Sequence, residues 1–147
     1  MKTDSRDEKI INQITRNSKI TVRELGKAAG VSSVTAMNRL RRLEKAGIIS
    51  GYTARIDYEK LGYGISVIIS VRISKGKLFE LERKIARYPG ISAVYDTTGE
   101  FDAVVIGRFR STRAMDSMLK KMQTLDFVER TETSLILNTI KEEGIRL

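Results

Sequence analysis

Five polar side chains with the chemistry to bind a nucleic acid lie on one side of a predicted helix over residues 33–46. At about 100° of rotation per residue, they fall opposite the apolar positions of the same helix. Arginine can pair bidentately with a guanine edge and asparagine with an adenine edge, while a hydroxyl can reach a base or a phosphate. We therefore predict that this side of the helix contacts DNA through Thr35, Asn38, Arg39, Arg41 and Arg42.

The elements that must position these side chains form a helix-turn-helix pattern. Thr21 and Glu24 have the spacing of a capping box, which predicts the start of a first helix. Gly30 predicts its end, because glycine adopts the left-handed turn conformation without steric cost. Ser32 or Ser33 can cap the second helix, and both lie near enough to its start to contact DNA. Two capped helices across a glycine turn are typical of a motif that enters the major groove.

Arginine and asparagine are also ordinary on a solvated helix surface, so the distribution of charge matters. Residues 1–56 contain 12 Lys and Arg against 5 Asp and Glu, a net charge of +7. Residues 57–147 contain 15 against 13, a net of +2, so most of the chain's +9 lies in its first third. A basic segment before a nearly neutral one predicts one part for a polyanion and another part for a different partner.

Composition excludes several other classes of protein. The 147 residues include no cysteine and no histidine, which removes disulfides, thiolate zinc sites and the commonest general base. We therefore predict no metal, no cofactor and no enzymatic activity. The chain has no apolar run near the roughly 18 residues of a membrane span, and its start lacks the apolar core of a signal peptide. A cytoplasmic protein is expected.

The other segments of the first third complete a small domain over residues 1–50. Asp4 or Ser5 can cap a helix over residues 6–16, which would bury isoleucines against the two motif helices. Apolar and polar residues alternate over residues 48–56, which predicts a strand that serves as a wing or arm. We interpret residues 51–63 as this strand followed by a glycine-containing hinge.

Residues 64–147 show a second pattern, with strands and helices in the order βαββαβ. An Ile- and Val-rich strand over 64–74 precedes a helix that carries Leu78, Leu81 and Ile85. A hairpin of strands 91–97 and 101–109 follows, then a helix capped by Ser111 and a last strand over 128–140. The fold class is therefore α+β, with an N-terminal winged helix-turn-helix joined to a C-terminal ferredoxin-like domain.

The first strand of that second domain carries isoleucine on both of its sides. In a ferredoxin-like plan the helices cover one face of the sheet, so the other face would expose apolar side chains. We therefore predict a homodimer formed by packing these faces together.

The chain resembles the Lrp/AsnC family of leucine- and asparagine-responsive regulators, also called feast/famine regulators. The resemblance spans nearly the whole chain and is carried by the motif of residues 21–44, GYTA at 51–54, KLGY at 60–63 and TGEFD at 98–102. It implies control of transcription through double-stranded DNA, with an amino acid or a related metabolite as effector. It also implies dimers that assemble further, often into octamers.

The resemblance also implies an effector site in the turn between the second and third strands of the second domain. A glycine turn exposes N–H groups that can hold a carboxylate, and an aspartate could accept an α-amino group. The family usually has aspartate where this chain has Glu100. The same residues could instead simply form a tight hairpin. The predicted effector residues are Thr98, Gly99, Glu100, Phe101 and Asp102.

Two other functions are compatible with this architecture. Some decarboxylases of haem biosynthesis resemble it, but they depend on histidine, which this chain lacks. The other alternative is an architectural DNA-binding protein that needs no effector and has little sequence preference. Its expected mark is a small ratio of specific to non-specific affinity, with no response to metabolites.

Overall fold

The computed structural model describes residues 2–74 and 76–147 of the chain. These divide into two compact units, one of residues up to Arg55 together with Lys141–Leu147, and one of Ile56–Ile140. Within the described ranges, every helix is too short or too polar to cross a membrane.

Three helices form the first unit: α1 (Ser5–Arg16), α2 (Val22–Ala29) and α3 (Ser33–Lys45). Each begins where the sequence places a capping side chain, namely Asp4, Thr21 and Ser32. The predicted capping box of Thr21 and Glu24 is confirmed. The helices enclose one small apolar core made of Ile10, Leu25, Ala29, Ala36 and Leu43.

The turn between α2 and α3 depends on two glycines with different roles. Gly30 has a φ of 68°, the left-handed conformation that the sequence predicted for the end of α2. Gly26 lies inside α2 and is buried. A Cβ atom there would lie 2.8 Å from the carbonyl oxygen of Val31. The absence of a side chain at Gly26 therefore lets α3 start close against α2.

The second unit has the predicted βαββαβ order and the ferredoxin-like plan. Its antiparallel sheet has the strand order β2-β3-β1-β4. Two helices cover one face, and the buried side chains of β1 are Val67, Ile69, Val71 and Ile73, as the alternation predicted. Met118 and Met122 are buried in the same core. The elements are β1 (Ile65–Ile73), α4 (Leu78–Ile85), β2 (Ile91–Asp96), β3 (Ala103–Phe109), α5 (Thr112–Gln123) and β4 (Val128–Leu135).

Two strand predictions were wrong in the same way. Residues 48–56 form no strand in this chain, and β4 ends at Leu135 rather than at residue 140. A strand needs a ladder partner for its backbone groups. Leu135 pairs with Val67, near the start of β1. Among the described residues that follow, Ile136 makes one further ladder bond, from its N–H to the carbonyl of Ser66.

The segment interpreted as a hinge is an ordered turn in its second half. Asp57 accepts a hydrogen bond from the N–H of Lys60, and the N–H of Tyr63 donates to the carbonyl of Tyr58. Two arginines lie over the tyrosine rings of this turn. Arg108, in β3, is 5.3 Å from the ring of Tyr58, and Arg110, just after β3, is 4.8 Å from the ring of Tyr63. These cation–π contacts attach the turn to the sheet of the second unit.

The last seven residues, Lys141–Leu147, belong to the first unit. The side-chain amide of Asn12 donates to the carbonyl of Leu147 at 2.8 Å and accepts from its N–H at 3.1 Å. Gly144 packs closely against α1, because a Cβ there would lie 2.6 Å from Thr15 Cγ2.

We expect Gly26→Ala to destabilise the first unit by about 1–3 kcal/mol, because the added methyl group meets backbone atoms that cannot rotate away. This loss exceeds the gain of up to about 1 kcal/mol that alanine brings to a helix. Hydrogen exchange of the amides of α2 and α3 measures the effect. Gly51→Ala, at an exposed position with open space around it, is the control. Unchanged protection in Gly26→Ala would contradict the packing argument.

Candidate nucleic-acid interface and effector turn

The outer side of α3 is accessible, as the helical periodicity predicted. Ala36 and Leu43 are buried, while six of the seven residues predicted to contact DNA are exposed. Val34, beside them at the start of the helix, is 71% exposed. We call this side the recognition surface; it consists of Ser32, Ser33, Thr35, Asn38, Arg41 and Arg42.

Two hydroxyl groups are ordered at the start of this surface. Ser32 Oγ accepts a hydrogen bond from the N–H of Thr35 at 3.1 Å, which caps α3. The same oxygen lies 2.9 Å from Thr35 Oγ1. The cap therefore holds both hydroxyls in place at the exposed end of the helix, where free backbone N–H groups favour an anion.

The first turn of α1 is tied to α3 through a buried carboxylate. Asp7 has no exposed surface, and its oxygens accept hydrogen bonds from Arg39 Nη1 at 2.8 Å and from Arg42 Nη2 at 2.8 and 3.0 Å. A third donor is the N–H of Asp4, which completes the capping box of α1. Arg39 also reaches both oxygens of Asp4, at 2.8 and 2.9 Å.

These contacts set the ionisation of the cluster. Burial alone would raise the pKa of Asp7, but the hydrogen bonds from Asp4 N–H and Arg39 outweigh it and lower the pKa below its ordinary value. The N–H of Asp7 and the Arg39 guanidinium lower the pKa of Asp4 to about 2. Asp4 and Asp7 raise the pKa of Arg39, so the cluster is fully ionised at neutral pH.

The cluster separates the two arginines that the sequence grouped together. The side chain of Arg39 is only 18% exposed and is committed to Asp4 and Asp7. That of Arg42 is 48% exposed and uses one amino group for Asp7. Sequence reasoning missed these partners. An aspartate at the third position of α1 was visible as a capping residue, but nothing local in the sequence connects it to residues 32 and 35 positions away.

The predicted effector residues form the turn between β2 and β3, here called the effector turn (residues 98–102). Gly99 has a φ of 118°, a conformation that favours glycine. Asp102 is attached to the end of β1, since its N–H donates to Val71 and its carboxylate accepts from the N–H of Ile73 at 2.9 Å. The carboxylate assigned to an α-amino group thus already holds one backbone donor.

A residue from β4 also lies at this turn. Arg130 Nη1 is 3.1 Å from Glu100 Oε1, and its guanidinium lies 5.5 Å from the centre of the Phe101 ring. Sequence reasoning did not select Arg130, because strand register decides that it faces the turn. The available signal was a lone basic residue, Arg130, between the two glutamates of the last strand.

Comparisons with known proteins agree with this architecture. A family model described as the Lrp/AsnC ligand binding domain matches residues 66–145, and one described as a winged helix-turn-helix DNA-binding domain matches residues 3–50. An uncharacterized HTH-type transcriptional regulator of Pyrococcus furiosus is 39% identical over 143 residues, 97% of each chain. The HTH-type transcriptional regulator FL11 of Pyrococcus horikoshii is 37% identical over 139 residues, 95% of this chain and 92% of its own.

Solved structures show the same fold over the full length. A Neisseria meningitidis transcriptional regulator in complex with L-Met has a TM-score of 0.92 and 26% identity, covering 99% of this chain and 96% of its own. Escherichia coli AsnC has a TM-score of 0.90 and 26% identity over 100% of both chains.

The chain therefore belongs to the Lrp/AsnC family. It is a transcriptional regulator with a helix-turn-helix DNA-binding domain and an Lrp/AsnC ligand-binding domain. The predicted family and the predicted fold class are confirmed. The relatives compared are named as transcriptional regulators rather than as enzymes.

We expect Asp7→Asn to destabilise the first unit by about 3 kcal/mol, the lower end for removing one partner of a buried ion pair, because both arginines remain partly hydrated. Its effect should also depend on pH. A lowered carboxylate pKa contributes stability that is complete above the unfolded value near 3.8 and is lost as pH falls through the folded value.

Hydrogen exchange of α1 and α3 amides between pH 6 and 3 measures both effects. Glu8→Gln, in the same turn of α1, is the control and should change stability by less than about 0.5 kcal/mol. If the two variants lose the same stability, or if Asp7→Asn keeps the wild-type pH dependence, the proposed role of the cluster is wrong.

Proposed function

We propose that this protein is a sequence-specific DNA-binding regulator whose binding is modulated by an amino acid or a related small metabolite. The observation that supports it most is the exposed recognition surface on a helix that Asp7 holds in place, in the same chain as a ligand-binding domain. Base contacts from rigid side chains give sequence specificity, and α3 supplies hydroxyl, amide and guanidinium groups for them.

On DNA, α3 enters the major groove, with Thr35, Asn38 and Arg42 towards the base edges. Exposed cations around it, such as Lys27, Arg41 and Lys45, contact phosphates and make the affinity depend on salt. Arg39 contributes mainly by orienting α3, since its guanidinium is committed to Asp4 and Asp7. In a dimer, two such helices address successive major grooves about 34 Å apart or at a multiple of that distance.

The effector binds at the effector turn of the second unit. The related Neisseria regulator in complex with L-Met supports an amino acid as the ligand class. Exposed backbone at Gly99 and the carboxylate of Asp102 supply polar groups of both signs, as a zwitterion requires. Homodimers form through the uncovered sheet face, where Ile68 and Tyr95 are exposed, and associate further into oligomers such as octamers.

Modulation follows if the ligand prefers one assembly. A metabolite that binds one arrangement of dimers more tightly shifts the population towards it and changes the spacing of the recognition helices. The alternative is an architectural protein that binds DNA through charge alone. The concentration of positive charge in the first third of the chain is compatible with it.

We expect Asn38→Ala to weaken binding to a specific site by about 1–3 kcal/mol and to leave binding to random DNA unchanged. Lys45→Ala, the phosphate control, should weaken binding to both DNAs equally and reduce the slope of log K against log salt by about 1. Titrations of a selected site and a random duplex at several salt concentrations measure both. If Asn38→Ala weakens the affinity for both duplexes equally, the architectural alternative is favoured.

We expect calorimetry against the twenty amino acids to find at least one ligand, and light scattering to show that it changes the assembly. Gly99→Ala should weaken that ligand at least about tenfold, because alanine is strained at this φ. Gly76→Ala also places alanine at a positive φ in open space, but in another turn, and should leave binding unchanged. Wild-type protein that binds no amino acid would contradict the effector half of the proposal.

A further inference from the structure

The effector turn extends from its own hairpin to the opposite edge strand of the sheet. β1 lies between β3 and β4 in the strand order. Asp102 attaches the turn to β1 through Val71 and Ile73, and Glu100 then reaches Arg130 on β4. Groups from the hairpin and from β4 therefore converge at this one place.

The ion pair between Glu100 and Arg130 is easily exchanged. Their side chains are 63% and 56% exposed, and an exposed pair contributes little to stability. Arg130 also lies 3.5 Å from Glu132, so its guanidinium can shift between carboxylates along one surface. Such an arginine can bind another carboxylate in place of that of Glu100 without unfolding any helix or strand.

The surroundings of Arg130 suit a planar carboxylate. The Phe101 ring lies 5.5 Å from the Arg130 guanidinium, close enough for a cation–π contact. A guanidinium can bind a carboxylate through two parallel hydrogen bonds. In the part of the chain that the structure describes, the N–H groups of Gly99, Glu100 and Phe101 donate to no other group. Backbone N–H donors and a guanidinium both favour an anion. The carboxylates that compete for the guanidinium are those of Glu100 at 3.1 Å and Glu132 at 3.5 Å.

We propose that Arg130 recognises the carboxylate of the effector and that Glu100 occupies Arg130 in the ligand-free state. Binding is then an exchange in which the carboxylate of the ligand replaces that of Glu100. This inference rests on the proposed effector role of residues 98–102 and adds to it the β4 residue that recognises the carboxylate. Ligands that lack a carboxylate lose the contact with Arg130, and Glu100 lowers the affinity of those that have one.

The experiment compares a carboxylate ligand with its neutral counterpart. Calorimetry first identifies the amino acid that wild-type protein binds most tightly, and the same titration is then made with the carboxamide of that amino acid. Arg130→Ala should weaken the amino acid at least about tenfold, the effect of a lost charge-assisted hydrogen bond, and leave the carboxamide unchanged within about twofold. Glu100→Gln should bind the amino acid several-fold more tightly.

Arg72→Ala is the matched control. Arg72 lies directly opposite Arg130 in the β1–β4 register, has a carboxylate partner of its own in Glu129 at 3.7 Å, and is similarly exposed. Its removal should leave the affinity for the amino acid unchanged. Melting temperatures and light scattering of all variants should match those of wild type, since exposed pairs contribute little to stability.

The outcomes separate this inference from the proposed function. Suppose that wild-type protein binds an amino acid. If Arg130→Ala binds that amino acid equally well, or if its affinities for the amino acid and the carboxamide fall by the same factor, the proposed role of Arg130 is wrong but the effector site is not contradicted. If Arg72→Ala weakens the affinity for the amino acid as much as Arg130→Ala does, the loss of positive charge, rather than recognition by Arg130, explains the effect. If wild-type protein binds no amino acid, the effector proposal and this inference both fall.

Discussion

The geometry of the DNA-binding unit depends on the ion pairs that the buried carboxylate of Asp7 forms with Arg39 and Arg42. A buried charge is costly unless it is paired and hydrogen-bonded. Asp7 meets this requirement with donors from the start of α1 and from two arginines of α3, so α3 can take only an orientation that keeps those donors in place. A small three-helix core alone would allow more variation, because apolar contacts are not directional.

The same constraint explains why Arg39 and Arg42 of α3 have different roles. An arginine enclosed by two aspartates orients a helix, whereas one that keeps half of its surface can also contact DNA. The second unit uses a carboxylate in a comparable way, since Asp102 attaches the effector turn to the end of β1 through a backbone N–H. In both units, an aspartate holds the segment that carries the predicted contacts, while a nearby arginine, Arg42 or Arg130, keeps about half of its side chain exposed.

Local rules were sufficient to predict most of the fold. The caps of α2 and α3 and the glycine at the end of α2 follow from interactions within four residues, so they could be identified in the sequence. The βαββαβ order and the buried side of β1 follow from hydrophobic periodicity. The prediction of a strand over residues 48–56 was wrong. Alternation shows which side chains are apolar, but it cannot supply the partner strand that a ladder needs.

The sequence by itself determined the helix-turn-helix, the polar side of α3, the ferredoxin-like plan and the resemblance to the Lrp/AsnC family, since each depends on neighbours along the chain. Only the tertiary structure decided that Arg39 is held by Asp4 and Asp7, that Asp102 caps β1, and that Arg130 faces Glu100. Those contacts join residues about thirty positions apart. Their formation depends on helix packing and strand register, which are properties of the whole fold rather than of any one segment.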